Sequence, residues 1–405
     1  MPFAWLVALR FLREGRAQTI LILAGISVGV GVMVFLSALI NGLQASLIAR
    51  TLGSQAHVVV RPSEEIPRTL PVPGDPALAA RVEKAPQRVR TIGNWQQTAA
   101  ALGAVPGVVA VSPTVAGSAF ASRGTVSKSV ALRGVIPESF SRIIAISRRL
   151  TTGEFRVAGG EAVIGTELAK SLGLAVGDKL RIVSTEGRDD VFTVRGIFDL
   201  GNKDVNERWV LVSLRAAQSL LDLADGVSTI ELRVRDIFAA DRVARRVEAS
   251  TGLVADSWMR INSELMIGLR AQSSSSYMIQ FFVVVAVALG IASVLVVSVV
   301  QKSREIGILK AVGTTTGRIK RVFLIQGGLL GLAGSAIGCG IGTALALSFA
   351  TLARNPDGSP TFPVDLNAGL YLSATLIATA TGLIAAVVPA RRAARMDPAT
   401  VIRYG

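Results

Sequence analysis

Four long stretches of this sequence contain no charged residue, and they constrain the fold more than any other feature. They are residues 17–49, 271–301, 322–353 and 366–390. Each includes an apolar run of about 20 residues, the length that a helix needs to cross the roughly 30 Å hydrocarbon core of a bilayer. The sequence therefore predicts an integral membrane α-helical protein with four transmembrane helices.

The first two stretches are longer than one membrane crossing requires. At 1.5 Å per residue, the first could extend about 50 Å as a helix. Its far end is polar, with Asn41 and Gln44, and Gln272–Tyr277 is similarly polar ahead of the second crossing. We expect both helices to continue out of the membrane as stalks. A cleaved signal peptide is the alternative for the first stretch, but its apolar run, Ile20–Ile40, is longer than a signal-peptide core of 7–15 residues.

Basic residues cluster in three short segments beside these stretches. The N-terminal segment, the 302–321 loop and the C-terminal tail together carry 13 basic and three acidic residues. Short loops rich in Lys and Arg stay on the cytosolic side of a membrane. We therefore expect both termini and this loop to be cytosolic (N-in/C-in), with a large periplasmic domain between the first and second helices.

These expectations divide the chain into segments of three kinds: cytosolic, membrane-crossing and periplasmic. The cytosolic segments contain the three clusters of basic residues, and the membrane-crossing segments contain the charge-free stretches. The predicted segments are a cytosolic N-terminal basic segment at 1–18, the first transmembrane helix and stalk at 19–49, the periplasmic domain at 50–270, the second stalk and transmembrane helix at 271–300, a cytosolic loop at 301–321, the third transmembrane helix at 322–350, a short periplasmic loop at 351–367, the fourth transmembrane helix at 368–390 and a cytosolic tail at 391–405.

Residues 50–270 have the texture of a mixed α+β domain with short elements. Near the start, the Pro-rich stretch Pro62–Pro86 is expected to form a loop. Residues 105–113 then indicate a turn followed by a strand. The alternating Ser129–Val135 indicates another strand, which we expect to end in a turn at Pro137.

The composition excludes several kinds of site. With one histidine, His57, and one cysteine, Cys339, the chain lacks the residues for a zinc site, a Cys/His pair or a Ser-His-Asp triad. Its net charge of +15 accompanies a mean hydropathy of +0.52, which is typical of a membrane protein rather than of a nucleic-acid-binding protein. We therefore expect no catalytic residue, no metal and no nucleic acid, and we interpret His57 and the pair Asp189–Asp190 as ordinary structural residues.

The 301–321 loop has the most informative pattern. Apolar residues fall three apart in it and end at a glycine, which predicts a short amphipathic helix. We interpret this helix as a docking element whose apolar side fills a cleft on a cytosolic partner. The alternative is a basic loop held by anionic lipid headgroups. The residues assigned to the docking element are Arg304, Glu305, Ile306, Leu309, Lys310, Val312 and Gly313.

Glycines recur at helical spacing in the first and third crossings. In lipid, faces of small residues let two helix backbones approach closely. The pattern is compatible with packing inside one chain and with a seam between two copies. The glycines assigned to helix packing are Gly25, Gly29, Gly327, Gly331, Gly334, Gly338 and Gly342.

Two negative features bear on how such a protein obtains energy. No ionisable residue lies inside a predicted crossing, so the pattern of a proton-relay or ion-coupled transporter is absent. The chain also lacks the G-x-x-x-x-G-K-[ST] motif of a nucleotide-binding P-loop. We expect the energy to come from another subunit.

Three motifs resemble those of the FtsX/MacB-type permeases of ABC transporters, and this resemblance covers nearly the whole chain. Residues 105–113 (VPGVVAVSP) are similar to the beginning of that family's extracytoplasmic domain. Residues 304–313 (REIGILKAVG) are similar to its signature cytosolic loop, the coupling helix. Residues 389–399 (PARRAARMDPA) are similar to its C-terminal ending.

Within this family, the chain is similar to the lipoprotein-releasing (LolC/LolE-like) permeases. The similarity lies in Ile197–Gly201 with the acidic stretch after it, in Glu231–Ala240 and in Gln326–Gly327. The permease of that system that recruits a periplasmic carrier has a long hook hairpin, whereas the corresponding turn here, Ser184–Asp190, is short. The resemblance is therefore to the partner permease of that system or to a more distant relative.

The resemblance implies a machine in the bacterial inner membrane. Two permeases, identical or paralogous, would sit on two copies of a cytosolic ABC ATPase, which would hold ATP and Mg, while this chain holds no cofactor. Closure of the ATPases would push on the 304–313 helix, and the two stalks would carry the motion to the periplasmic domain. A lipoprotein or a similar amphiphile would leave the outer leaflet laterally, with membrane lipid and a periplasmic carrier or adaptor as further partners.

Two other functions are compatible with the same sequence. One is a MacB-like exporter of drugs, peptides or glycolipids that works with an adaptor. The other is an FtsX-like regulator that transports nothing and relays ATP hydrolysis to a cell-wall hydrolase. A membrane-anchored enzyme has no supporting residues.

Overall fold

The computed structural model describes the chain in four segments, residues 3–63, 90–223, 225–352 and 363–397. They form two compact units, of which one contains residues 1–47 with 267–405 and the other contains residues 48–266. Nearly all of the Pro-rich stretch, most of the predicted 351–367 loop and the end of the tail lie outside the described residues.

The described helices fall into two length classes. Four helices of 28 to 39 residues cover the charge-free stretches, and each is long and apolar enough to cross a membrane. Long unbroken helices suit these stretches, because a helix satisfies its own backbone hydrogen bonds where lipid offers none. In chain order the α-helices are α1 (Phe3–Glu14), α2 (Arg16–Gly53), α3 (Trp95–Gly103), α4 (Pro137–Ile143), α5 (Thr166–Leu172), α6 (Lys203–Arg208), α7 (Leu214–Leu220), α8 (Ala240–Thr251), α9 (Trp258–Ile261), α10 (Ser263–Gln301), α11 (Ser303–Ala311), α12 (Thr316–Leu352) and α13 (Ala368–Arg395).

The 48–266 unit is built on one mixed sheet. Its strands are β1 (Val58–Arg61), β2 (Val108–Arg123), β3 (Val126–Val135), β4 (Leu150–Gly153), β5 (Glu161–Gly165), β6 (Lys179–Ser184), β7 (Asp189–Phe198), β8 (Trp209–Ser213), β9 (Thr229–Val234) and β10 (Val254–Ser257). The main path runs β10-β1-β9-β2-β3-β8-β5-β7-β4, and β6 pairs with both β2 and β7. Those two pairings close a ring of six strands, β2-β3-β8-β5-β7-β6.

The ring depends on the length of β2. This strand has 16 residues; its first part pairs with β9 and its later part with β6, while β3 runs antiparallel beside residues 114–123. A strand serving three neighbours must coil, and a shift of register after Val108 marks one irregularity. The closed ring encloses apolar side chains such as Leu132, Ile182 and Phe192, which are fully buried.

Two expectations for this unit differ from the structure. The strand expected within residues 105–113 continues to Arg123, because its later residues find partners that are distant in sequence. Pro137 does not form a turn after β3: it begins α4, where its fixed φ and missing N–H suit the first helical position. The expected mixture of short strands and helices is otherwise what the structure contains.

Glu161 begins β5 and is almost fully buried between two arginines. Arg156 donates hydrogen bonds of 2.9 and 2.7 Å to the carboxylate, and Arg195 donates one of 2.8 Å. These bonds lower the pKa of Glu161 to about 2, and the hydrogen bonding from Arg156 has the largest effect. Because the folded-state pKa is lowered, this stabilisation is complete above pH 4.5 and is lost as the pH falls towards 2.

A second buried charge pair links β3 to β9. Arg133 and Glu231 form an ion pair, and their side chains are only 13% and 6% exposed. The guanidinium carbon of Arg133 lies 4.1 Å from the ring centroid of Trp209 and 5.6 Å from that of Phe140. Among the described residues, Nε of Arg133 and Oε2 of Glu231 have no hydrogen-bond partner. The pair is therefore desolvated and depends on its own attraction and on the two rings.

Candidate functional site: the loop helix and its support

Helix α11 occupies about half of the 302–321 loop. It follows α10 after a single residue, Lys302, and it ends where Gly313 adopts a φ of +96°, which favours glycine. The N–H of Gly313 donates to the carbonyl of Lys310, and that of Thr314 donates to the carbonyl of Leu309. These bonds close the last turn, so the glycine ends the helix where the sequence predicts.

One side of α11 faces the chain itself. Ile306 is 1% exposed and lies in an apolar cluster that also contains Phe11 of α1 and Phe323 of α12. Leu309 is half-buried and packs against the same cluster. These two residues, which we expected to enter a cleft on a partner, instead fasten the helix to its own bundle, because the ends of α1 and α12 offer the nearest apolar surface.

Polar contacts hold α11 in the same place. The Nζ of Lys310 donates to the carbonyl oxygens of Ala394 and Met396, at 3.1 and 2.6 Å, and so satisfies the last turn of α13. Lys302 pairs with Glu14 and with Glu305, each at 2.7 Å. Hydrogen bonds from Glu14 and then Glu305 raise the pKa of Lys302. These contacts connect α11 and the residue before it to the ends of α1 and α13.

The other side of α11 is exposed, and the expected residues only partly supply it. Arg304 is exposed, Ile308 is 49% exposed and Val312 is 83% exposed. Ile308 was not among the residues assigned to docking. The spacing of four residues from Arg304 to Ile308 and on to Val312 is a helical signal that would have found it. We call Arg304, Ile308 and Val312 the outer face of α11.

The glycines of α12 face the neighbouring helices of the same chain. A Cβ atom on Gly334 would lie 2.5 Å from Cγ2 of Ile26, and one on Gly342 would lie 2.7 Å from the carbonyl oxygen of Gly31. Gly338 lies between them and faces the same helix, α2. The Oγ of Ser27 donates to the carbonyl of Gly334 at 3.2 Å, which adds a polar link between α2 and α12.

Of the remaining glycines assigned to packing, three face other helices of the chain and one faces open space. A Cβ atom on Gly327 would lie 2.7 Å from Cβ of Ala386, and one on Gly331 would lie 2.8 Å from the carbonyl oxygen of Ala378, so both glycines face α13. Gly29 faces Val283 and Val287 of α10. Gly25 has no atom within 4 Å of that position, so nothing in the described chain packs against it. Of the two arrangements that the pattern left open, packing inside one chain therefore accounts for every glycine of this set except Gly25.

A small polar cavity lies among α2, α10 and α13, near the ends of these helices that are remote from α11. Its volume is about 300 Å³. Across it, the Nε2 of Gln280 donates to Oγ of Ser37 at 2.9 Å, and nearby the Nε2 of Gln44 donates to Oγ of Ser273 at 2.9 Å. Serine and glutamine side chains in a mostly apolar bundle supply hydrogen bonds without charge.

The residues that we interpreted as structural have structural partners. Nδ1 of His57 lies 3.1 Å from the carbonyl of Val234, and burial lowers the pKa of this histidine. Asp189 pairs with Arg181 at 2.8 Å. Within the described segments, no group of three or more His, Cys, Asp or Glu side chains is placed to hold a metal ion.

Family models match most of the chain. The model described as the MacB-like periplasmic core domain matches residues 19–250, and the one described as the FtsX-like permease C-terminal region matches residues 277–398. The second match includes α11 with its supporting helices α12 and α13.

Relatives that align with nearly the whole of this chain come from two groups. The lipoprotein-releasing system transmembrane protein LolC of Xylella fastidiosa is 25% identical, over 100% of this chain and 99% of that protein. LolE of Haemophilus influenzae is also 25% identical, over 93% of this chain and 92% of that protein. The macrolide export ATP-binding/permease protein MacB of Brucella abortus is 27% identical over 98% of this chain, which spans 59% of that protein.

Proposed function

We infer the function of this chain from its family, because it belongs to the FtsX-type permeases with a MacB-like periplasmic core domain, which are transmembrane subunits of ABC transporters. We propose that it extracts a lipoprotein or a similar amphiphile from the outer leaflet of the bacterial inner membrane. ATP hydrolysis takes place on a separate cytosolic ABC ATPase, present in two copies. A second permease, either another copy or a paralogue, completes the complex.

The distribution of charge supports an orientation for this complex. Lys and Arg are concentrated in and just after α1, in the 302–321 loop, and in the last turns of α13 with the tail that follows, and such segments stay in the cytosol. Both termini and α11 then lie on the side of the ATPase, and the 48–266 unit lies in the periplasm. This N-in/C-in arrangement places the polar cavity among α2, α10 and α13 towards the outer leaflet.

The outer face of α11 is the observation that carries the ATPase contact. Its exposed Ile308 and Val312 stand beside the cation of Arg304, at the end of a helix whose opposite side is fastened to the bundle. Exposed apolar side chains gain free energy when a partner covers them, about 25 cal/mol per Å². A nucleotide-driven movement of the ATPase would push this face, and α1 and α13 would move with it through Lys302 and Lys310.

Two observations favour an amphiphilic substrate of the lipoprotein class. The lipoprotein-releasing relatives align with this chain over 92% or more of their length, whereas the chain spans only 59% of a relative whose name includes the ATP-binding part. The membrane crossings also contain no charged side chain. Such helices suit lateral release of a lipid-anchored molecule, and the polar cavity offers hydrogen bonds to its polar part.

A double substitution on the outer face tests the contact with the ATPase. We expect Ile308→Asp with Val312→Asp to weaken binding of the ATPase at least tenfold and to abolish coupled ATP hydrolysis, because two carboxylates would enter an apolar contact. Co-purification and ATPase rates measure the effect. Val126→Asp with Val176→Asp, at exposed positions of the periplasmic unit, is the matched control. Equal binding by the two double variants would refute the assignment of this face.

Depletion of the protein in its host tests the substrate. We expect lipoproteins destined for the outer membrane to accumulate in the inner membrane, and this is measured by membrane fractionation of a labelled lipoprotein. The wild-type chain and the Val126/Val176 variant should restore sorting, whereas the Ile308/Val312 variant should not. Normal sorting after depletion, together with intact ATPase binding, would exclude lipoprotein release and favour MacB-type export or an FtsX-type regulatory role.

A further inference from the structure

An apolar groove lies between α1, α12 and α13, at the end of the bundle that carries α11. Its volume is about 370 Å³, and we call it the inner groove. The residues that define it here are Trp5, Arg321, Leu324, Gly328, Leu332 and Leu383. The groove lies on a different side of α12 from the glycines that pack against α2.

The inner groove has the depth of one lipid leaflet. Arg321, Leu324, Gly328 and Leu332 follow one another at helical spacing along α12, and the 11 residue steps from Arg321 to Leu332 span about 16 Å. That is about half of a 30 Å hydrocarbon core. The groove therefore extends from the membrane surface to about the middle of the bilayer.

Gly328, which has no side chain, forms the floor of the groove. A Cβ atom on Gly328 would lie 3.3 Å from Cδ2 of Leu383, so a larger residue here would fill the space between α12 and α13. Leu332 and Leu383 remain 50% and 40% exposed along the walls. In the membrane-crossing part of a protein, this apolar trough contacts the hydrocarbon chains of lipid.

The end of the inner groove at the membrane surface is polar, whereas the rest of the groove is apolar. Arg321 is exposed and has neither an ion pair nor a hydrogen bond among the described residues. Its neighbours Arg318 and Lys320 are exposed and basic, and no acidic side chain lines the groove. A guanidinium at this position is complementary to a phosphate oxygen pair and to net negative charge.

Helix α1 supplies the last wall and places it at the membrane surface. Ala8 and Phe11 are buried against the bundle, whereas Leu6 is 57% exposed and Trp5 is 41% exposed on the other side. A short helix with an exposed apolar face beside basic residues lies in the interface between headgroups and acyl chains. Tryptophan prefers the same depth.

We propose that the inner groove binds one anionic phospholipid, with an acyl chain along Gly328 and Leu332 and the phosphate on Arg321. The leaflet is the one beside α11, which is the cytosolic leaflet in the orientation proposed above. The lipid fills the space between α1 and α12 and so joins the N-terminal helix to the bundle that supports α11. This lipid site lies in the opposite leaflet from the one in which the substrate is proposed to be released.

Trp5 provides a direct probe of this site. The chain contains four tryptophans, and the other three, Trp95, Trp209 and Trp258, belong to the 48–266 unit. The full chain is reconstituted in phosphatidylcholine vesicles that contain a fixed fraction of brominated phosphatidylglycerol or of brominated phosphatidylcholine. Subtracting the quenching of a Trp5→Phe variant isolates the signal of Trp5.

We expect brominated phosphatidylglycerol to quench Trp5 about three to five times more than brominated phosphatidylcholine does. Arg321→Gln should reduce this ratio to about one, whereas the control Arg318→Gln should keep it. Gly328→Leu retains the arginine but fills the floor, and it should also lower the ratio. Circular dichroism establishes that each variant is folded.

Three results would overturn the proposal. Equal quenching by the two lipids in the wild-type chain would show that the groove does not select anionic lipid. An equal loss in Arg318→Gln and Arg321→Gln would reduce the effect to a general basic surface. Weak quenching of Trp5 by both lipids would mean that protein, such as a second copy or the ATPase, covers the groove. None of these results depends on ATPase binding by the outer face of α11, so failure here is distinguishable from failure of the proposed function.

Discussion

Replacing Gly338 by leucine is expected to disrupt the packing of α12 against α2 strongly. A Cβ atom at this position would lie 2.7 Å from Cβ of Val30 and 2.8 Å from the carbonyl oxygen of Ser27. Because the second neighbour is backbone, no rotamer change of a side chain can make room. Helix α2 itself would have to move, which we expect to cost about 3 kcal/mol or more in the free energy of unfolding.

The same helix provides a matched control. Gly340 lies two residues away, and a Cβ atom there would meet nothing within 4 Å. Thermal unfolding in detergent, with the monodisperse fraction by size-exclusion chromatography, compares Gly338→Leu with Gly340→Leu. Only Gly338→Leu should strongly lower the midpoint temperature of thermal unfolding. If both variants were equally stable, close contact between α2 and α12 through Gly338 would be wrong.

Removing the arginine of the buried pair between β3 and β9 is expected to have a large effect on the stability of the 48–266 unit. Arg133→Ala leaves the carboxylate of Glu231 buried without its cation, and it also removes the contact of the guanidinium with Trp209. Breaking a buried ion pair from one side costs about 3–5 kcal/mol. Hydrogen–deuterium exchange of peptides from β2, β3 and β9 measures this loss of stability.

Two further variants separate the charge from the packing. Arg188→Ala removes a pair with Asp222 whose side chains are 51% and 64% exposed, so its cost should stay within about 1 kcal/mol. Replacing both members of the buried pair, by Arg133→Met with Glu231→Leu, should restore most of the protection, since no unpaired charge remains. Protection that stays low in this double variant would mean that the geometry of the pair, rather than an orphaned charge, stabilises the sheet.

The broad organisation of the protein could be predicted from local sequence. The charge-free stretches correspond to four long apolar helices, and the resemblance to FtsX/MacB-type permeases is confirmed by family models that together cover most of the chain. The end of α11 at Gly313 was also predictable, because a positive φ is a local requirement for which glycine is suited. Each of these features depends on residues that are close together in the sequence.

The side of α11 that faces outwards could not be predicted from that stretch alone. Its apolar residues lie on both sides of the helix, so the pattern does not say whether Ile306 or Ile308 is exposed. The choice depends on Phe11 and Phe323, which come from distant parts of the chain and provide the surface that buries Ile306. The same holds for the inner groove, since Trp5 and Leu383 meet α12 only in the folded bundle.

Hydrophobicity, helical length and the distribution of charge are sums over neighbouring residues, and from them the sequence by itself determined a membrane protein with four candidate crossings and one large inserted domain. Only the tertiary structure decided that β6 closes a ring with β2, that Arg133 meets Glu231, and that the glycines of α12 face α2 and α13. Those contacts join residues up to about 300 positions apart. Their free energy depends on shape and burial after the chain has folded, and no local pattern encodes it.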